Sequence, residues 1–361
     1  MKKLFRFLCF VLVLSLTLGG ICVIMSTNNS KDTLHIKGFF KEPDNTIDVL
    51  LIGASELYSG FCSTRAWSEY GYTSYALSYA GMPAQIYKQA LMRALKTQKP
   101  KMIAFEVNGF LHGDKYDKNP GKIHAWFDNA GIDSDGEKFI KEKIPEDKQT
   151  EYFFPFYKYH SNWKKPDITL RNALGRLFLA IEPYSYCKAF ATTNTTKKDN
   201  KIKNRKAVLE KRQKDELKEL LDFCKDSGFK QVLFFRSPHC IKTTNFKVIE
   251  EVQQMVESYG YSFENFENSY DEIKLNTKTD FYNYEHMNVY GMEKFTKFLG
   301  EYIKNNYDVK TEHSKETVDM WNKCAVINEE NIKRCKADNM HKFYYELSAF
   351  EIKNGFNKVI V

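Results

Sequence analysis

The feature that most constrains this chain lies at its start. Lys2, Lys3 and Arg6 precede an apolar run, Phe7 to Met25, that contains no charged residue. A helix needs about 20 such residues to cross the hydrocarbon core of a bilayer, so the run predicts a membrane-spanning signal anchor. Its cationic flank belongs on the cytoplasmic side, which leaves the bulk of the chain outside. A cleaved signal peptide is the alternative, although such peptides have a shorter apolar core and a small-x-small cleavage site. Leu18-Gly19-Gly20-Ile21-Cys22 comes close to a lipoprotein box, but Ile21 stands where a small residue is required.

Export changes what the net charge of +8 means. It argues against nucleic acid as a partner and turns the lysine-rich surface toward anionic lipid headgroups or an anionic envelope polymer. With 361 residues, 43% of them hydrophobic, the chain can build one sizeable α/β domain with a long insertion, or two small domains. Cys9 and Cys22 lie in the apolar segment, and the other six cysteines are dispersed without a C-x-x-C pair. No zinc spacing, Gly-rich phosphate loop or nucleotide fingerprint is visible, so neither a metal nor a cofactor is expected.

Beyond a polar stretch from Ser26 to about Asp44, strand and helix patterns alternate. Ile47 to Ile52 reads as a buried strand ended by Gly53-Ala54-Ser55, and Ser74 to Leu77 as a second strand ended by Ala80-Gly81-Met82-Pro83. A helix over Ala84–Leu95 and a third strand over Lys101–Val107 follow. Such alternation implies βαβ units and a mainly parallel sheet. From Gly109 to about Lys206 the regularity breaks, and an interval this long reads as an insertion or lid. The pattern resumes with a helix face at Leu217, Leu220, Leu221 and Cys224, then a strand over Gln231–Phe235. A second helix face (Ile249, Val252, Met255, Val256), a short strand near Tyr261–Phe263 and an amphipathic helix through Met292 and Ile303 complete it. The predicted organisation is an anchor over 1–30, an extracytoplasmic domain over 31–306 carrying the 109–206 insertion, and a charged appendage over 307–361.

Two residues stand where chemistry is favoured. Ser55 follows the first strand, and ligands of open α/β sheets collect at the carboxyl ends of strands. A serine capping a turn is the plainer reading. His286 sits in a polar, acid-bearing segment, Asp280 to Gly291, just before the last amphipathic helix. There it suits a general base oriented by a carboxylate, or else a loop histidine packed on its neighbouring tyrosines. His239, which follows the strand-ending Ser237-Pro238, reads as a turn residue or a substrate contact. The aromatic run Tyr152–Tyr159 reads as core, with a sugar-stacking wall as the alternative.

Taken together, these segments carry a resemblance. Ile47-Asp48-Val49-Leu50-Leu51-Ile52-Gly53-Ala54-Ser55, with Tyr58-Ser59-Gly60-Phe61 and Trp67, resembles the opening block of the SGNH (GDSL-like) hydrolase superfamily. More narrowly, it is similar to Gram-positive cell-envelope proteins of the DltD and AlgJ/AlgX acyltransferase-like groups. Tyr159-His160-Ser161-Asn162-Trp163 resembles a Tyr-His-Ser-Arg-Trp segment of that subgroup, with Asn162 in place of arginine. Glu285-His286-Met287-Asn288 and Gly291-Met292-Glu293-Lys294-Phe295-Thr296 resemble its terminal block. The resemblance spans roughly Ile47 to Ile303.

It implies a three-layer α/β/α fold with Ser55 as nucleophile, His286 as base, and Gly81 and Asn108 as oxyanion donors. Glu56, Tyr159, His160, Trp163 and His239 would then contact substrate. The place of the usual aspartate, three residues before the histidine, is taken by Asn283, so the acid would pass to Asp280 or Glu285, or be missing. The implied activity is transfer or hydrolysis of acyl groups, most simply acetyl, on an envelope polysaccharide or teichoic-acid-like polymer. The implied setting is beside a membrane-bound partner that exports acyl groups. A binding or scaffold protein with a decayed triad is the competing expectation.

Overall fold

Backbone hydrogen bonding cannot close within a single strand, so the apolar runs found in the sequence must pair. The structure, a computed structural model, describes residues 1–25, 30–114, 118–164, 184–197, 203–309, 312–339 and 343–344. It opens with α1 (Lys2–Met25), a helix long and apolar enough to cross a membrane and unburied over Lys2–Cys22. Next come α2 (Ser30–Phe39), β1 (Val49–Gly53), α3 (Ser55–Gly60), α4 (Ser63–Tyr70), β2 (Ser74–Ser78), α5 (Ala84–Ala94) and β3 (Met102–Glu106). The expected insertion contains α6 (Pro120–Ala130), α7 (Ser134–Lys143), α8 (Glu146–Phe153) and α9 (Pro155–Tyr159), with a 3-10 turn over His160–Lys164. Short strands β4 (Thr192–Thr193) and β5 (Lys203–Arg205) precede α10 (Lys211–Asp226) and β6 (Val232–Arg236). The chain continues through β7 (Ile241–Thr243), α11 (Phe246–Ser258), β8 (Ser262–Asn265), α12 (Tyr270–Ile273), α13 (Val289–Asn306), α14 (Lys315–Ala337) and β9 (Phe343–Tyr344).

Five of these strands form one wholly parallel sheet in the order β2-β1-β3-β6-β8. Leu51 lies opposite Ala76 of β2 on one side and Ala104 of β3 on the other. Both faces of the sheet are buried, which is why its strands read as continuous apolar runs. Leu50, Ile52, Ile103, Phe105, Val232 and Phe234 pack on one face against α5, α10 and α11. Val49, Leu51, Ala104, Leu233 and Phe235 pack on the other, beneath Leu57 and Phe61 of the α3 region and Phe295, Leu299 and Ile303 of α13. The fold is thus α/β, with helices on both faces.

One segment is more structured than the sequence reading expected, and another is packed on the body. The stretch taken as polar holds α2, whose Leu34, Ile36 and Phe39 are buried. The charged tail is joined to the body. Trp321 of α14 belongs to the main core, α14 packs along α4, and His313 Nε2 meets Asp48 Oδ2 at 2.8 Å.

Candidate active site

The order β2-β1-β3 reverses direction at β1, so the crevice between the ends of β1 and β3 is the topological switch point where open α/β sheets bind ligands. Ser55 follows β1 there and Asn108 follows β3. The turn into Ser55 depends on Gly53. A Cβ at that position would lie 2.8 Å from Glu106 Cβ and 3.2 Å from Leu57 Cβ. Ser55 then starts α3, half-buried, and its hydroxyl donates to Glu56 Oε2 at 3.3 Å.

His286 occupies the loop leading into α13. Its Nδ1 lies 3.0 Å from Asn283 Oδ1, which also accepts the backbone N–H groups of Glu285 (2.8 Å) and His286 (2.9 Å). Those two donors identify the atom as the amide oxygen, so Nδ1 must carry a hydrogen and Nε2 a lone pair. Nε2 is buried and has no hydrogen-bond partner among the described residues. Burial is the main cause that pushes the imidazole down to about 3, so it is neutral at ordinary pH. Ser55 and His286 are not hydrogen-bonded to each other.

The acid expected at Asp280 or Glu285 is not at the imidazole. Asp280 is buried and held by Lys294 Nζ (2.7 Å), Thr279 Oγ1 (2.8 Å) and the Asn276 N–H (2.8 Å). Glu285 pairs with Arg205. Asn283 takes the position that orients the ring, and it supplies orientation without charge.

Asn108 is saturated. Its side-chain N–H groups go to Glu106 Oε1 and to His239 Nε2 (2.9 Å), its backbone N–H to Glu106 Oε2 (3.2 Å), and its Oδ1 accepts from Arg236 Nε (3.1 Å). To serve an oxyanion it would have to release one of these. Gly81, at φ +68° in the turn after β2, has an N–H that meets no acceptor among the described residues.

Glu56 and His239, expected as substrate contacts, lie in this crevice together with Glu106, Glu267, His112 and Lys31, which carried no sequence signal. Glu106 is fully buried at the end of β3, and burial together with the neighbouring Glu56 holds its carboxyl well above the usual range. Burial also raises Glu56, partly offset by His239. His239 Nδ1 meets Glu267 Oε1 at 2.8 Å, which makes a carboxylate-backed histidine beside the site. His112, half-buried, has Nε2 3.9 Å from Glu56 Oε1, and Lys31 of α2 donates to Tyr58 Oη at 2.6 Å, one helical turn after Ser55. A strand-end glutamate looks like any other strand-end glutamate until its neighbours are known. These groups come from separate segments, and no local spacing connects them.

Tyr159 and His160 stand elsewhere in the fold. Tyr159 is buried with its hydroxyl on Asp128 of α6, while His160 is exposed with Nδ1 2.6 Å from the Tyr157 carbonyl. The side chain of Trp163 lies outside the described residues. No metal-holding cluster of His, Cys, Asp and Glu occurs among the described residues. No family model matches the chain, and no curated protein is significantly similar to it.

Proposed function

We propose that this chain is a membrane-anchored, extracytoplasmic serine acyltransferase or esterase of the SGNH type, acting on acyl esters of an envelope polysaccharide or teichoic-acid-like polymer. The observation that carries this reading is His286, a half-buried neutral imidazole whose Nδ1 is fixed as donor and whose buried Nε2 lone pair has no partner among the described residues. That is the tautomer a general base needs toward a serine hydroxyl. Ser55 sits at the switch point of the same sheet, which is where a nucleophile would be presented to substrate.

In the reaction, the Ser55 hydroxyl turns from Glu56 toward His286 Nε2, gives up its proton there and attacks the acyl carbonyl. The leaving alkoxide takes that proton as the tetrahedral intermediate collapses to an acyl-serine. An incoming sugar hydroxyl or water then loses its proton to Nε2 and attacks the acyl-serine, and the departing Ser55 oxygen takes that proton back from Nε2 as the ester bond breaks. Burial raises Glu56 toward its neutral form, which lessens repulsion of the developing oxyanion. The Gly81 N–H is a donor for that oxyanion.

Closeness to the membrane supports a membrane-bound acyl-exporting partner. Lys31, which touches Tyr58 beside the site, is six residues beyond Met25 at the end of α1. Six residues span at most about 20 Å.

A second reading, a binding or scaffold protein, is favoured by the uncharged Asn283 and by Ser55 bonding to Glu56 instead of the histidine. Cells carrying Ser55→Ala as the only copy separate the two. The enzyme reading expects loss of alkali-labile acyl groups from the envelope polymer. Unchanged acyl content supports the scaffold.

A further inference from the structure

Within the insertion, the aromatic run divides into two sets. Tyr152 and Tyr159 turn inward, Tyr152 stacking on His124 with ring centroids 3.8 Å apart and Tyr159 bonding Asp128. Phe153, Phe154, Phe156 and Tyr157 turn outward and are 38%, 63%, 45% and 65% exposed. Four adjacent large aromatics facing solvent on one short helical corner form a patch that a soluble surface ordinarily avoids.

What lies beside the patch identifies its occupant. The α9 helix and the 3-10 turn after it pack against α1, and Asn162 Nδ2 donates to the carbonyl of Met25 at 2.8 Å. The corner is therefore fastened to the end of α1 remote from the Lys2, Lys3 and Arg6 flank. Twenty-four helical residues make α1 about 36 Å long, against about 30 Å of hydrocarbon. If α1 spans, Met25 stands at headgroup depth and the exposed aromatics stand with it. Aromatic side chains are favoured at that depth.

We infer that Phe153, Phe154, Phe156 and Tyr157 form a second membrane contact, seated in the headgroup–acyl boundary of the bilayer that α1 crosses. The inference rests on the reading of α1 as membrane-spanning. A single helix leaves an ectodomain free to swivel. A second contact on the insertion fixes its tilt, and with it the direction in which the Ser55 crevice faces.

The test uses the full chain reconstituted in vesicles, with Phe154→Trp and, as a control on α11, Phe246→Trp, which replaces a residue 51% exposed. Emission added over the parent protein is compared in ordinary lipid and in lipid brominated near the headgroup. The Phe154→Trp signal is expected to fall to about half while the Phe246→Trp signal is unchanged. Co-flotation with the vesicles and no selective quenching of Phe154→Trp would overturn the second contact while leaving the anchor intact. Failure to co-float would overturn both.

Discussion

Asn283 Oδ1 faces His286 Nδ1 at 3.0 Å, in the place where a serine triad has its carboxylate. It fixes the tautomer and the ring orientation, but would contribute no charge to stabilise the imidazolium that the proposed deprotonation of Ser55 requires. Burial also opposes that charge, so on the proposed reading the base is a weak one.

Asn283→Asp should strengthen it. The Asn283 NH2 has no partner among the described residues, so exchanging it for oxygen breaks no hydrogen bond. A carboxylate at this distance raises the imidazole pKa by about one to three pH units. Turnover of a short-chain ester is expected to rise by on the order of tenfold to a thousandfold. The parent His286, pushed down to about 3, stays neutral through mildly acidic pH, so its activity has an acid limb only near that value. In Asn283→Asp the limb moves to higher pH, and a pH–rate profile of the two proteins reads the difference.

Gly53→Ala forces a Cβ to within 2.8 Å of Glu106 Cβ, directly under the turn that presents Ser55. Overpacking of this kind costs about 1–3 kcal/mol. A lowered thermal midpoint and a larger proportional loss of activity are expected, because the strain falls on the nucleophile turn.

The segment before β4 is tied down by a buried ion pair. Lys188, fully buried, donates to Glu42 and to Tyr184 Oη and lies over the Trp321 ring of α14. Lys188→Ala leaves Glu42 buried and uncompensated, at a cost of about 3–5 kcal/mol. Lys188→Met combined with Glu42→Leu should recover much of the loss, and denaturant unfolding of both variants measures it.

Four of the five sheet strands were legible because each is buried on both faces, and the half-exposed edge strand β8 because Gly260 precedes it and Phe263 marks its buried face. Their observed limits fall within two residues of the sequence reading at most ends. Ser55 and His286 were singled out by position and the resemblance together, and Asn283 stood out as the missing aspartate only through the resemblance. The tail was harder to read. Trp321, Cys324, Asn328, Ile332 and Cys335 lie on one face of α14 and are buried, but intervening charged residues mask the stripe. Nor could spacing reveal the crevice network of Glu106, Asn108, His239 and Glu267. Its members stand at the ends of three strands, β3, β6 and β8, and only the parallel sheet aligns those ends.

The most direct test of the Ser–His site is covalent. A fluorophosphonate probe applied to the full-length protein in detergent should label Ser55 and no other residue, as mapped by peptide mass spectrometry. Labelling should vanish in Ser55→Ala and fall sharply in His286→Ala. A correctly folded parent protein that takes no label, or labels equally well without His286, would contradict the account.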